Sequence, residues 1–348
     1  MSRAAVSDRL REERHTSRSG RVITVAVLGS GSIGLRHVDI LRGMPQAEVI
    51  AIPTRLARLR QLKQTGYTVA ADLEEAVGRG ASHCIVATDT GRHTADALAA
   101  VERGLEVFIE KPLATDAPAA ARLLQRAAQL HRQVFVGCVL RFSESLNRGR
   151  EWLPSLGALH SVRIECQSYL PAWRPDRPYR ESYSARAEEG GVLRDLIHEI
   201  DYAGWLFGWP NRLQGRLKNL GRLGIAAEEL AHVSWETPMG CVVSVHLDYL
   251  SRPSRRRLTV SGERGTIEWD GIAETVAIEA DGNPVRVERV EQTRDQMFAA
   301  QARAFLDATT NQSDPRLATG NDGLKALAVC DAARRASARR REEAVEYP

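Results

Sequence analysis

Val22-Ile23-Thr24-Val25-Ala26-Val27-Leu28 runs without a break into Gly29-Ser30-Gly31-Ser32-Ile33-Gly34, and the reading of this stretch decides the fold. The first part is apolar, β-branched and of strand length, so it predicts a buried strand; the G-x-G-x-x-G after it predicts a tight turn into a helix. Each glycine has its own task. The first permits the turn, the second lets a diphosphate come close to the backbone, and the third lets the helix lie close on the sheet. The free N–H groups of the new helix would point at that anion. Gly29, Gly31, Ser32, Ile33 and Gly34 are therefore candidate cofactor-binding residues, and the helix expected over 35–42 and the strand over 48–52 supply the right context.

The residue about 20 positions after the last glycine commonly selects the dinucleotide. An acid there would hold a ribose 2′-hydroxyl, but this chain has Thr54-Arg55, with Arg58 and Arg60 close behind. A hydroxyl beside a guanidinium suits a 2′-phosphate, so NADP is favoured and NAD is the alternative. Further out, strands over 67–70, 84–87, 106–109 and 133–139 alternate with helices over 73–77, 94–103 and 118–131. That alternation predicts a doubly wound, parallel Rossmann domain over 22–142. Thr88 and His93 fall in a loop at the C-terminal end of a strand, where ligands bind in such sheets, and join the cofactor candidates.

The strand over 106–109 ends in Glu110-Lys111-Pro112, where the proline turns the chain. Of 48 Lys plus Arg residues only four are Lys. Lys can lose its proton near neutral pH when desolvated and Arg effectively cannot, so a Lys kept at this strand end points to proton transfer. Glu110 and Lys111 are placed with the cofactor residues, and Lys111 also with the catalytic ones.

Beyond about residue 150 the periodicity changes. In 160–169 and 243–249 apolar and polar residues alternate, which marks antiparallel strands with one polar or partner-covered face. Further strands are expected over 257–260, 265–269 and 284–290, and helices over 295–308 and 323–340, the last returning to the first domain. The expected second unit, 143–348, is thus an α+β domain with a large, open, mostly antiparallel sheet. The loop over 171–186 is dense in Arg and Tyr and suits an anionic or hydroxyl-rich ligand; Tyr179 and Tyr183 are candidate substrate contacts, as is Arg141.

Composition limits the alternatives. With 43% hydrophobic and 26% charged residues the chain is an ordinary soluble protein, and its formal charge of +4 is spread along the sequence, which argues against a nucleic-acid partner. No apolar run is long enough to span a membrane. Residues 1–21 are expected to be a disordered arm. Five cysteines without a C-x-x-C pair read as free thiols in a reducing, cytoplasmic setting, and no metal site is expected.

Gly190-Gly191-Val192-Leu193-Arg194-Asp195-Leu196-Ile197-His198-Glu199-Ile200-Asp201 reads as one apolar helix. On a continuous helix Asp195 and His198 share a face, so the carboxylate could orient the imidazole as a general base. Together with the glycine turn, Glu110-Lys111-Pro112, Arg141-Phe142 and Gly262-Glu263-Arg264-Gly265-Thr266-Ile267, this segment resembles the Gfo/Idh/MocA oxidoreductases, from Val22 onward. The resemblance implies hydride exchange between a nicotinamide and a secondary alcohol or ketone of a sugar, amino sugar, nucleotide sugar or cyclitol. It also implies Lys111, Asp195 and His198 around the reacting carbon, and assembly as a homodimer or homotetramer through the second sheet. Two departures stand out: the family's helix usually separates Asp from His by four residues and here the spacing is three, and Thr88-Asp89 stands where Pro or Asn is usual. An NAD-dependent glycosidase and a non-catalytic sugar-binding regulator are the competing functions on the same fold.

Overall fold

The computed structural model describes residues 22–175, 177–308 and 313–348; the arm expected over 1–21 lies outside the described residues. β1 (Ile23–Leu28), whose last four residues are buried, leads through the glycine turn into α1 (Ser32–Arg42). β2 (Ala47–Ile52), α2 (Leu56–Gln64), α3 (Leu73–Gly78), β3 (His83–Val86), α4 (Thr90–Glu102), β4 (Glu106–Ile109), α5 (Ala117–Gln129) and β5 (Val134–Val136) continue the alternation. The strands pair in parallel in the order β5-β4-β3-β1-β2. The segment 67–70 is no full strand: it touches the sheet through one bridge, Ala51 to Val69.

β5 does not close this sheet, contrary to the expectation from sequence. A two-residue strand from the far end of the chain pairs antiparallel beyond it, Ala318 opposite Val136 and Thr319 opposite Phe135.

The second sheet has nine strands. After α6 (Glu144–Trp152) come β6 (Leu159–Gln167), the short helix α7 (Val192–Asp195), α8 (His198–Phe207), β7 (Arg212–Lys218), β8 (Leu230–Glu236) and β9 (Val242–Asp248). β10 (Arg255–Gly262), β11 (Gly265–Asp270), β12 (Thr275–Ala280) and β13 (Arg286–Arg289) follow. The order is β13-β12-β11-β10-β6-β9-β8-β7-β15, where β15 is Glu343–Ala344, and every pairing is antiparallel except β6 with β9. Alternation sends Val162, Ile164, Val243, Val245, Leu258 and Val260 to the helix-covered face, where all are buried. Arg163, Glu165, Ser244, His246, Thr259 and Glu268 lie on the other face and are half-buried or exposed.

The last part of the chain does not stay with the second sheet. α9 (Arg294–Ala308) packs on α1, placing Phe298 and Phe305 among Phe108, Phe135 and His37. β14 (Ala318–Thr319) then supplies the extra strand, and α10 (Gly320–Arg339) lies across both sheets, against α5 and β5 at one end and β7 along its length. Small residues make that crossing possible: a Cβ on Gly215 would stand 2.5 Å from the Ala333 carbonyl oxygen, far inside contact distance. Thr319 and Asp322 start α10 with a reciprocal capping box.

Candidate active site

The glycine turn has the shape a dinucleotide diphosphate requires. Gly29 has φ of +95°, and a Cβ there would meet the Ala87 carbonyl oxygen at 2.4 Å; one on Gly34 would meet the Gly29 carbonyl oxygen at 2.1 Å. Both positions are closed to any side chain. Gly31 differs: a Cβ there would project into open space, with nothing within 4 Å. It caps α1 without a side-chain hydrogen bond, so the helix's first N–H groups have no side-chain acceptor at the cap. The open space at Gly31 and the helix N-terminus fit the diphosphate of a nicotinamide dinucleotide, which Gly29 to Gly34 would hold, with Ser32 and Ile33 on the first turn. Thr54 and Arg55 follow the C-terminal end of β2 and are both exposed.

Two other expected cofactor contacts are used internally. His93 is buried, with Nδ1 2.8 Å from the Pro112 carbonyl oxygen and Nε2 3.0 Å from that of Thr88. Burial pushes its pKa down despite those carbonyls. Both ring nitrogens thus face backbone carbonyls, one of which accepts from the imidazole's single N–H, and neither is turned to a ligand. Thr88 spends its hydroxyl on Asp96 at 2.8 Å. Glu110 is likewise occupied, its carboxylate 2.7 Å from Nε2 of the buried His37 on α1.

Lys111 reaches into the second half of the chain, and a break in the predicted helix receives it. In a continuous helix the Asp195 carbonyl would accept from the N–H of Glu199. Here the Glu199 N–H turns to Leu196 at 3.2 Å, and Lys111 Nζ donates to the freed Asp195 carbonyl at 2.7 Å. The single helix expected from Gly190 is thus split into α7 and α8, with Asp195 ending one and His198 starting the other.

That split overturns the expected pairing of Asp195 with His198. The Asp195 carboxylate turns to Tyr249, whose hydroxyl donates to Oδ2 at 2.6 Å, and it faces Tyr183. The carboxylate's charge, then burial, hold the Tyr183 phenol well above its ordinary range; for Tyr249 burial comes first and the carboxylate second. Burial, then the charges of Lys111, Arg256 and Arg294, hold the His198 imidazole well below its ordinary range, so it is neutral at physiological pH. Asp195 Oδ1 and His198 Nδ1 are both buried without a hydrogen-bond partner. Unsatisfied polar atoms of this kind are costly unless a ligand completes them.

Two of the three expected substrate residues, Arg141 and Tyr179, are held by the protein itself. Arg141 is 2% exposed and grips Asp201 at two points, 2.9 and 2.7 Å, with Asp322 at 3.6 Å. Its guanidinium is sealed between the two halves and cannot meet a substrate. Tyr179 donates to the Leu223 carbonyl at 3.0 Å. Of the weaker candidates only Tyr183 faces the Lys111–Asp195–His198 cluster.

Residues that sequence reading missed complete the surroundings. Arg256 on β10 pairs at 2.8 Å with Glu199, a carboxylate wholly out of solvent. Glu189 crosses between the halves, accepting from the Gly91 N–H at 2.9 Å. Tyr249 was visible as the last apolar position of an alternating strand, but nothing in that pattern aims its hydroxyl at Asp195. Among the described residues no group of three or more His, Cys, Asp or Glu is arranged to hold a metal.

Residues 23–138 match the family described as oxidoreductase family, NAD-binding Rossmann fold, and residues 154–268 match the GFO/IDH/MocA C-terminal domain. The chain belongs to the GFO/IDH/MocA oxidoreductase family. It is 29% identical over 330 residues to a myo-inositol dehydrogenase, Hyg17, of Streptomyces leeuwenhoekii, covering 90% of this chain and 97% of that one. Myo-inositol 2-dehydrogenase of Thermotoga maritima is 24% identical, with 92% and 98% covered. A levoglucosan dehydrogenase solved with NADH superposes with a TM-score of 0.84 at 16% identity, over 94% of this chain and all of that one. As a GFO/IDH/MocA protein the chain is a nicotinamide-dependent oxidoreductase, and the two sequence relatives named above are inositol dehydrogenases.

Proposed function

We propose that His198 is the acid/base of this reaction and Lys111 the donor that polarises the substrate oxygen, at a secondary carbinol carbon held between them. A nicotinamide bound at the glycine turn supplies the hydride acceptor or donor. Oxidation of an alcohol releases a proton as the hydride leaves, and a neutral imidazole can take it. Held well below its ordinary range, His198 is available in that form at physiological pH. Lys111 is fixed by the Asp195 carbonyl, which leaves its other N–H groups for the reacting oxygen. Asp195, fastened by Tyr249, has Oδ1 free to accept from a neighbouring substrate hydroxyl. The observation that carries this reading is the set of two buried, unpartnered atoms, Asp195 Oδ1 and His198 Nδ1, at a site Lys111 enters from the nucleotide-binding half. General acid/base catalysis contributes about 10²- to 10⁴-fold. His198→Asn should therefore cut turnover on an active polyol by that order with NAD(H) affinity unchanged, and Lys111→Met by at least as much. Near-parental turnover in both would place the chemistry elsewhere.

The exposed Thr54 and Arg55 at the end of β2 support a preference for NADP over NAD, which Arg55→Asp should reverse in cofactor titrations. All five cysteines are free and buried, which favours a reducing, cytoplasmic setting. The polar face of the second sheet supports a homo-oligomer joined through that face.

A further inference from the structure

The two halves of the chain are fastened to each other on both sides of α7. Before it, Glu189 Oε2 accepts from the Gly91 N–H in the first turn of α4 at 2.9 Å; at its end, the Asp195 carbonyl accepts from Lys111 at 2.7 Å. The first contact replaces a cap that α4 lacks. Asp89 holds the N-cap position with no side-chain hydrogen bond to the helix, so a half-buried carboxylate from 98 residues away takes the N–H it leaves. Arg186, on the same segment, grips the other oxygen of that carboxylate.

Gly91 leaves room for this contact and for little else. A Cβ there would stand 2.7 Å from Glu189 Oε2 and 3.5 Å from its Cδ, and beyond its own helix and chain neighbours it would meet nothing more within 4 Å among the described residues.

Sheet order places the contact on the cofactor's path. The strands run β4-β3-β1, so the loop after β3 lies between the glycine turn after β1 and Lys111 after β4. It abuts both. A Cβ on Gly29 would stand 2.9 Å from the Thr88 nitrogen, and the His93 ring sits between the Thr88 and Pro112 carbonyl oxygens, 3.0 and 2.8 Å from them. A dinucleotide with its diphosphate at Gly31 and its nicotinamide beside Lys111 must therefore cross the loop that Glu189 holds.

We propose that residues 186–195 are a strap across the bound dinucleotide, and that the hydrogen bond from Gly91 to Glu189 is its clasp, which opens for the cofactor to enter or leave. Glu189 is then a positioning residue that sets how long the cofactor stays, without touching the reacting atoms. The inference rests on the nicotinamide site described above. A clasp that closes over the empty and the loaded site alike slows entry and exit together, so its loss changes rates more than affinity.

The test is stopped-flow fluorescence with NADPH and with NADH, mixed for association and chased with the excess oxidised nucleotide for release. In Glu189→Gln both rate constants should rise about ten-fold, as the loss of one charge-assisted hydrogen bond at a half-buried site allows, with Kd within about three-fold of the parent. Gly91→Ala reaches the same clasp from the other side. Its Cβ displaces the carboxylate while alanine favours the helix, so the melting temperature should hold and both rates should rise. Because the two substitutions open one contact, the double variant should be no faster than the quicker single one. Parental rates in both single variants overturn the proposal. So does faster release with a matching loss of affinity, which makes Glu189 a holder of the cofactor or of the fold rather than a gate, and so does tighter nucleotide binding in Glu189→Gln, which makes its carboxylate a competitor of the cofactor. A parent protein that binds neither nucleotide removes the nicotinamide site itself, and the strap's role with it.

Discussion

Arg141→Met should destabilise the protein without weakening substrate binding. The guanidinium and its partner Asp201 are each 2% exposed and joined by two hydrogen bonds, at 2.9 and 2.7 Å. Removing one member of a buried pair costs about 3–5 kcal/mol, because the other charge stays behind uncompensated. Arg141 also lies 3.6 Å from Asp322 and over the Trp205 ring at 5.4 Å, so the upper part of that range is expected. The loss should vary with pH in a defined direction. Burial already holds the Asp201 carboxyl above its ordinary range, against the pull of Arg141, and without Arg141 it rises further. A carboxyl whose folded-state pKa exceeds its unfolded value makes the native state bind the proton more tightly, so stability falls as pH rises through that value. The deficit of Arg141→Met should accordingly be smaller near pH ~5 than near pH ~8. Replacing both partners by apolar residues, Arg141→Met with Asp201→Leu, should recover most of the loss. Urea unfolding of the four forms followed by circular dichroism, with KM measured on each folded form, checks the set. An unchanged urea midpoint with a raised KM in Arg141→Met would refute the argument and return Arg141 to the substrate.

Gly34→Ala should fail to fold into a nucleotide-binding form, its Cβ being 2.1 Å from a carbonyl oxygen, whereas Gly31→Ala should keep the parental melting temperature and lose NAD(H) affinity in fluorescence titration. Because the folded pKa of His198 lies below the free value of about 6.5, the acid limb of kcat/KM for oxidation should fall below that pH; a limb at or above it would exclude His198 as the base. Tyr249→Phe removes the 2.6 Å hydrogen bond to Asp195, so kcat/KM should fall by about ten- to a hundred-fold, from roughly 1.5–3 kcal/mol for a bond to a charged group. Light scattering at micromolar concentration should give a dimer or tetramer, and Arg163→Glu on the open sheet face should lower its mass.

The first sheet was legible because its signals are local. A strand, a glycine turn and a proline after Lys111 each follow from neighbours in sequence, and β4 stands where it was expected; α5 is started by Asp116, which accepts from the Ala119 N–H at 2.8 Å. The site was legible in its members more than in its wiring. Lys111, Asp195 and His198 come together, but sequence assigned Asp195 to His198 because a continuous helix would put them on one face. The helix breaks for a reason that lies 84 residues away, the Lys111 ammonium taking a backbone carbonyl. Arg141 and His93 misled for a related reason: a charged or titratable residue beside a predicted site reads as functional until its distant partner is known. β7 and β8 alternate, yet Gly215 interrupts the apolar rhythm of β7 because α10 needs the room.

The two-residue strand β14 also constrains how this chain can be made and cut. The nucleotide-binding half leaves the ribosome first, but its outermost strand and the helix over it are synthesised only after β6 to β13. Until Ala318 arrives, β5 presents a bare edge, and bare edges invite pairing with other chains. The two halves must therefore mature together rather than in succession. Chimeras with relatives should accordingly be spliced at two points, so that 294–339 travels with the first half; a single crossover near residue 142 would give each parent's sheet a foreign border.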